Sequence, residues 1–255
     1  MRVLDLFAGI GGFTIGLERA GFKTVAFCEI EPYAQKVLRK NWPEVPIYDD
    51  VRTITAERLI SDGIGVDVIT GGFPCQDISL AGNQAGIEGK RSGLWTECAR
   101  ILGELQPKYA IFENVTNLLN GERGAWFKRV LWDISALGYD AEWHCIPASE
   151  LGAHHHRDRV WIVAYSCGGK WPARRKEQSF LPVMQKNRAI NNNARGRGET
   201  RYANIIGTRG WIAEPDVGRV ANGVPSRSHR LKCLGNAVVP PIPELIGRAI
   251  KDYES

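Results

Sequence analysis

No stretch of about 18 consecutive apolar residues occurs in the 255-residue sequence, so it offers no membrane span. Met1 to Phe7 lacks the charged-then-apolar pattern of a leader and runs directly into a strand pattern, so an intracellular protein is expected. The six cysteines (Cys28, Cys75, Cys98, Cys145, Cys167 and Cys233) include no CxxC pair. Scattered cysteines without a secretion signal argue against a disulfide framework, and zinc would need closely spaced ligands. The His154–His155–His156 run does not supply them, because neighbouring side chains on a strand or turn do not converge on one ion. No metal is expected. The chain also lacks internal repeats.

Acidic residues are scarce in one region. From Ser166 to Gly210 there are ten Lys or Arg against only Glu177 and Glu199, a segment of +8 in a chain of +5 that leaves the remainder at −3. A basic patch on a mildly acidic body is the footprint of a phosphate-backbone binder, and composition alone is equally compatible with a solvated basic loop. At 44% hydrophobic the chain can build a sizeable core, as one main domain with a small appendage.

Residues 1 to about 165 alternate short apolar runs with helical patterns. Strands are expected at Arg2–Leu6, Thr24–Cys28, Val66–Thr70, Tyr109–Phe112 and Arg159–Ala164. Helices are expected at Gly11–Ala20, with Gly21 as the stop, and at Pro32–Asn41, Leu94–Leu105 and Trp126–Leu137. This alternation predicts an α/β fold with a parallel sheet covered on both faces. From Ser166 to Gly210 glycine, arginine and asparagine take over, predicting an irregular insert. Order returns at Leu234, where a Gly235–Asn236 turn leads through Pro240, Pro241 and Pro243 into a last helix.

The chemistry gathers at strand ends. Asp5 to Phe13 reads DLFAGIGGF, a strand, glycine turn and helix of the kind that cradles a cofactor. Many dinucleotide enzymes share that unit, so alone it is weak. Glu29 ends the second strand, where a carboxylate can bind ribose hydroxyls. GGFPCQ (Gly71 to Gln76) and ENV (Glu113 to Val115) follow two further strands. Ligands in open parallel sheets bind outside the carboxyl ends of the strands, so the glycine turn, Glu29, Cys75 and Glu113 should rim one crevice. A Cys between Pro74 and a polar loop at that edge is a better nucleophile candidate than core filler.

With RDRVWIVA and LGNAVVP added, these motifs bring the chain to a family. DLFAGIGGF, GGFPCQDIS, ENV, RDRVWIVA and LGNAVVP occur in order, and the chain resembles the cytosine-5 DNA methyltransferases over about residues 1 to 165 and 234 to 250. The resemblance implies a Rossmann-like, doubly wound, mostly parallel sheet of the S-adenosylmethionine-dependent type, with a small irregular basic target-recognition region. Residues 1–165 would form the cofactor-binding catalytic domain and 166–233 the recognition region. Residues 234–255 would pack back beside the first strand. Cys75 would add to carbon 6 of cytosine, a protonated Glu113 would contact ring N3, Arg159 would hold O2, and Arg157 would lie close by. Phe7, Gly9, Gly12, Glu29, Ile30, Asp50, Val51, Pro74, Asn236 and Val238 would line the cofactor pocket. Asp50 would bind the adenine amino group, with Asp49 as its rival. Gln76 to Gly93 would be a catalytic lid, with Ser79 and Arg91 near the DNA backbone. The partner would be double-stranded DNA and the protein a monomer in a bacterial or phage-infected cell. A cognate restriction endonuclease would be a functional partner rather than necessarily a physical one.

The chain departs from the family's pattern in places. Where Gln-x-Arg-x-Arg is usual it has His155, His156, Arg157, Asp158 and Arg159, and Ala237 stands where Ser is common. Between Ser166 and Lys232 the recognition region is short, and Glu214 to Arg227 resembles the compact ending of some phage-type DNA methylases. Arg219, Arg227 and Arg230 are candidate DNA contacts, or structural support for the last helix. Three other readings stay open: the same chemistry on structured RNA, a non-catalytic DNA-binding accessory subunit, and a dinucleotide oxidoreductase suggested only by the glycine turn.

Overall fold

The computed structural model describes residues 1–74, 93–166 and 226–255, without the side chain of Arg227. Successive residues of a strand point to opposite faces, so a strand buried on both sides reads as a continuous apolar run. Such runs form β1 (Arg2–Leu6), β2 (Lys23–Cys28) and β4 (Val68–Gly71), with the two-residue β3 (Ile47–Tyr48) between the last two in sequence. β5 (Tyr109–Val115), β6 (Tyr139–Pro147) and β7 (Asp158–Ser166) complete one sheet of order β3-β2-β1-β4-β5-β7-β6. The pairs from β3 through β5 are parallel, while β7 runs antiparallel to both β5 and β6. The mostly parallel α/β sheet is therefore as expected.

The helices cover both faces. α1 (Gly12–Arg19) begins after Gly11, whose φ of 87° glycine adopts without strain, and ends before Gly21 at φ 83°. α2 (Pro32–Asn41) carries proline in its first turn, where no amide donor is needed. α3 (Ala56–Ser61) is capped by Thr55, whose hydroxyl accepts from the Arg58 amide. α4 (Leu94–Leu105), the short α5 (Asn117–Asn120) and α6 (Ala125–Ala136) precede the β6–β7 hairpin. Two further helices, α7 (Arg227–Asn236) and α8 (Pro241–Glu254), end the chain.

Alternate strand residues feed two cores. Leu4, Leu6, Ile69, Ala110 and Phe112 pack with Trp95, Ile101, Trp126 and Val130 on one face. Val3, Val68, Tyr109, Ile111 and Trp161 pack with Phe13, Leu17, Ile242, Leu245 and Ile246 on the other. Close approach joins α1 to the last segment: a Cβ on Gly12 would stand 2.4 Å from the Val238 carbonyl oxygen, and one on Gly16 2.2 Å from that of Pro240. The last helix thus packs beside the first helix, over the sheet face to which Val3 of β1 contributes.

Three expectations need correction. ENV does not follow its strand but forms its last three residues, because β7 extends the pairing to Glu113↔Trp161, Asn114↔Val160 and Val115↔Arg159. Gly235 and Asn236 are not a turn leading into the last helix; they close α7, and the break falls at Ala237. That helix also runs across the boundary drawn at residue 233. β6 had no apolar run to announce it, since it is an edge strand carrying Asp140, Glu142 and His144 between Tyr139 and Ile146. Among the described residues, no helix is long and apolar enough to cross a membrane.

Candidate active site

The carboxyl ends of β1, β2, β4 and β5 open on one edge of the sheet. At β1 the chain turns through Phe7 (φ 52°) and Gly9 (φ 56°), and among the described residues nothing stands within 4 Å of where a Gly9 Cβ would lie. The turn is held by Glu29 at the end of β2. Its Oε2 accepts from the Gly9 amide at 2.7 Å and its Oε1 from the Glu31 amide at 2.7 Å. Each carboxylate oxygen keeps a second lone pair for a ligand hydroxyl. Beside it Ile30, a large apolar side chain, is 70% exposed. Asp50 Oδ1 caps the turn Val51–Thr53 by accepting from the Arg52 amide at 3.0 Å, and Val51 is buried beneath it.

Beneath the turn lies a polar cluster that the sequence did not announce. Asp5, fully buried, accepts from the hydroxyls of Thr14 (2.8 Å) and Thr70 (2.7 Å), and Thr24 donates on to Thr14 at 3.2 Å. Burial pushes its carboxyl up to about 6 against those hydrogen bonds, and nearby Glu29 adds to the rise.

The second half of the edge is built by β5 and β7. Glu113 and Arg159 lie on the same face of neighbouring strands, one diagonal step apart in register, and Arg159 Nε meets Glu113 Oε1 at 2.9 Å. Burial raises the Glu113 carboxyl above its ordinary value, and the charges of Arg159 and Arg157 work against that rise. Gly72 makes room: a Cβ there would stand 3.3 Å from Glu113 Oε2. The neighbouring Asn114, buried, donates from Nδ2 to the Phe73 carbonyl at 3.2 Å and accepts at Oδ1 from the Val115 amide at 2.8 Å. Asn114 therefore ties the end of β5 to the backbone at Phe73, ahead of Pro74.

Several candidates fall elsewhere. Arg157 spends its guanidinium on the carbonyls of Gly235 (2.7 Å) and Ala237 (2.8 Å), and it is Arg159 that pairs with Glu113. Gly12 and Val238 lie against each other, so Gly12 is held by packing rather than opened to a ligand. Asn236 ends α7 in an exposed position, and Arg230 is exposed on the same helix. Cys75, Ser79, Arg91 and Arg219, like the basic run beyond Ser166, lie outside the described residues; so does the Arg227 side chain. His156 pairs with Asp158 at 2.9 Å and meets Ser149 Oγ at 3.2 Å. Among the described residues no three His, Cys, Asp or Glu side chains gather to hold a metal ion.

The family model for C-5 cytosine-specific DNA methylase matches residues 1–206. The chain belongs to that family. Members similar to it in sequence include the Type II methyltransferase M2.BsuMI of Bacillus subtilis, 38% identical over 168 residues, which are 64% of this chain and 42% of that protein. Another is M.HgiBI of Herpetosiphon aurantiacus, 38% identical over 162 residues, 64% of this chain and 36% of the relative. The chain thus spans well under half the length of these two relatives. Among solved structures, a prophage-encoded DNA modification methyltransferase from E. coli superposes with a TM-score of 0.57 at 28% identity, covering 65% of this chain and 47% of that one.

Proposed function

We propose that this methylase family member methylates carbon 5 of cytosine in double-stranded DNA, within a short target sequence, by flipping the base and adding Cys75 to carbon 6. The observation that carries the reading is the half-buried Glu113–Arg159 pair at the strand edge, with the Phe73 carbonyl anchored by Asn114 just ahead of Cys75 in the chain.

The crevice residues fit S-adenosylmethionine. Open space over Gly9, acceptor capacity on Glu29 and the bare face of Ile30 suit a nucleoside with ribose hydroxyls. Phe7, Gly9, Glu29, Ile30, Asp50, Val51 and Pro74 would hold it, with Val238 behind Gly12 as support and Asn236 at the rim. When bound, that cofactor supplies an electrophilic methyl group.

The residues' own work follows from their chemistry. Cytosine carbon 5 is a poor nucleophile until the Cys75 thiolate forms a bond to carbon 6 and the ring's electron pair shifts toward carbon 5. A protonated Glu113 assists at N3, which its raised pKa favours. Arg159, paired with Glu113, would orient it and donate to O2. After alkylation a base takes the carbon-5 proton, the carbon 5–carbon 6 double bond re-forms, and Cys75 leaves as thiolate. Flipping is required because the stacked base hides its ring carbons, at a cost of a few kcal/mol. The basic segment from Ser166 to Gly210 supplies phosphate contacts in this reading.

The test is transfer of labelled methyl from S-adenosylmethionine to mixed-sequence duplex DNA and to transfer RNA, for wild type and Cys75→Ala. Label mapping to 5-methylcytosine in DNA and absent in the variant is the expected result. Label in RNA alone moves the substrate. Transfer that survives Cys75→Ala overturns the mechanism.

A further inference from the structure

α7 is a helix without a buried face: none of its described side chains is buried, and Leu231 and Leu234 are 42% and 41% exposed. Among the described residues, polar and ring contacts at two places set its orientation. At the first, Lys232 Nζ meets Glu31 Oε2 at 3.0 Å and His229 stacks on Tyr33 with ring centroids 5.9 Å apart. Glu31 is the residue whose amide holds Glu29. At the second end stands Arg157. The last carbonyls of a helix lack intrahelical partners and carry partial negative charge, so a cation is favoured there. Arg157 supplies it with both terminal nitrogens, on Gly235 and Ala237. It does so from a backbone φ of 39°, a left-handed conformation that costs a non-glycine residue energy and persists only where the surroundings impose it.

What the clamp joins gives it meaning. Two residues along the chain from Arg157, Arg159 holds Glu113. One residue beyond Ala237, Val238 rests on Gly12, the first residue of α1 directly after the glycine turn. We propose that Arg157 is a positioning residue that clamps the end of α7, so that the cofactor turn and the Glu113–Arg159 pair are held in one arrangement. Arg157, expected from the sequence to lie close by Arg159, then acts on the closing segment, and contact with the base belongs to Arg159. The inference rests on the crevice being an S-adenosylmethionine site, and it predicts that cofactor affinity depends on an arginine whose guanidinium is spent on carbonyls of the closing segment.

The experiment is calorimetric titration of the whole protein with S-adenosylhomocysteine, for wild type, Arg157→Ala, Arg157→Lys and Arg159→Ala, with thermal melting alongside. Loss of two charge-assisted hydrogen bonds should weaken binding in Arg157→Ala by about ten- to a hundredfold. Arg157→Lys should fall between, because a single ammonium cannot span both carbonyls as the fork does. Arg159→Ala should stay within about twofold of wild type while losing methyl transfer. Wild-type affinity in Arg157→Ala, with transfer alone lost, overturns the proposal and returns Arg157 to the base. If Arg157→Ala does not fold, Arg157→Lys decides: weakened binding at an unchanged melting temperature supports the clamp, and unchanged binding refutes it. Failure of wild type to bind S-adenosylhomocysteine would instead overturn the reading of the crevice.

Discussion

Asp5→Asn tests the physical account of the buried cluster under the glycine turn. Asp5 is fully buried, two threonine hydroxyls donate to it, and no ion pair reaches it among the described residues. Its carboxyl is raised from 3.8 to about 6, so the folded protein holds this proton more tightly than the unfolded chain does. The stability it contributes is therefore full below the unfolded value and is lost as pH rises through about 6. Between pH 5 and 8 the folded state releases nearly one proton that the unfolded chain has already lost, which costs about 1 kcal/mol. Asparagine does not titrate, and its amide can accept from one threonine and donate to the other. Urea denaturation of both proteins at the two pH values yields a double difference that cancels every other titrating group. The Asp5→Asn variant should gain about 1 kcal/mol on wild type over that interval. A double difference near zero, or one favouring the wild type at high pH, would refute the reasoning.

Glu113→Gln should cut methyl transfer by about a hundredfold or more while leaving S-adenosylhomocysteine affinity unchanged. Because the protonated form acts and burial raises its pKa, the wild-type rate should fall as pH rises through the folded value, a limb that the variant lacks; matching pH profiles would remove Glu113 from the chemistry. Gly12→Ala pushes a Cβ to 2.4 Å from the Val238 carbonyl oxygen, which backbone must yield. Overpacking of this kind costs about 1–3 kcal/mol, read as a lower melting temperature and weaker cofactor-analogue binding, and an unchanged protein would show that the two segments part freely. Duplex DNA affinity should fall by about 0.9 log unit per log unit of salt for each phosphate neutralised, and a salt-insensitive dissociation constant would exclude the basic segment as the anchor.

Much of the sheet was legible because burial on both faces writes itself as apolar runs. Arg2–Leu6 matched β1 residue for residue, and Pro32–Asn41 and Leu94–Leu105 matched α2 and α4. β6 was not legible, since an edge strand half open to water is free to carry Asp, Glu and His. Nor was α7: its residues have no amphipathic stripe, and its position depends on Glu31 and Arg157, 201 and 78 residues away along the chain from Lys232 and Gly235. The candidate site was legible as motifs at strand ends, because a parallel sheet sends the carboxyl ends of its strands to one edge.

The order of the motifs, and the meeting of the glycine turn, Glu29 and Glu113 at one edge, were thus written in the chain itself, through local periodicity and glycine turns. Which of two nearby arginines faces the carboxylate was not. Both stand at the start of β7, but β5–β7 register and strand alternation bring Arg159 onto Glu113, while the left-handed backbone at Arg157 sends its guanidinium to the end of α7. Pairing between distant strands and the capping of a distant helix arise only when the chain is folded, so only the tertiary structure could assign those two roles.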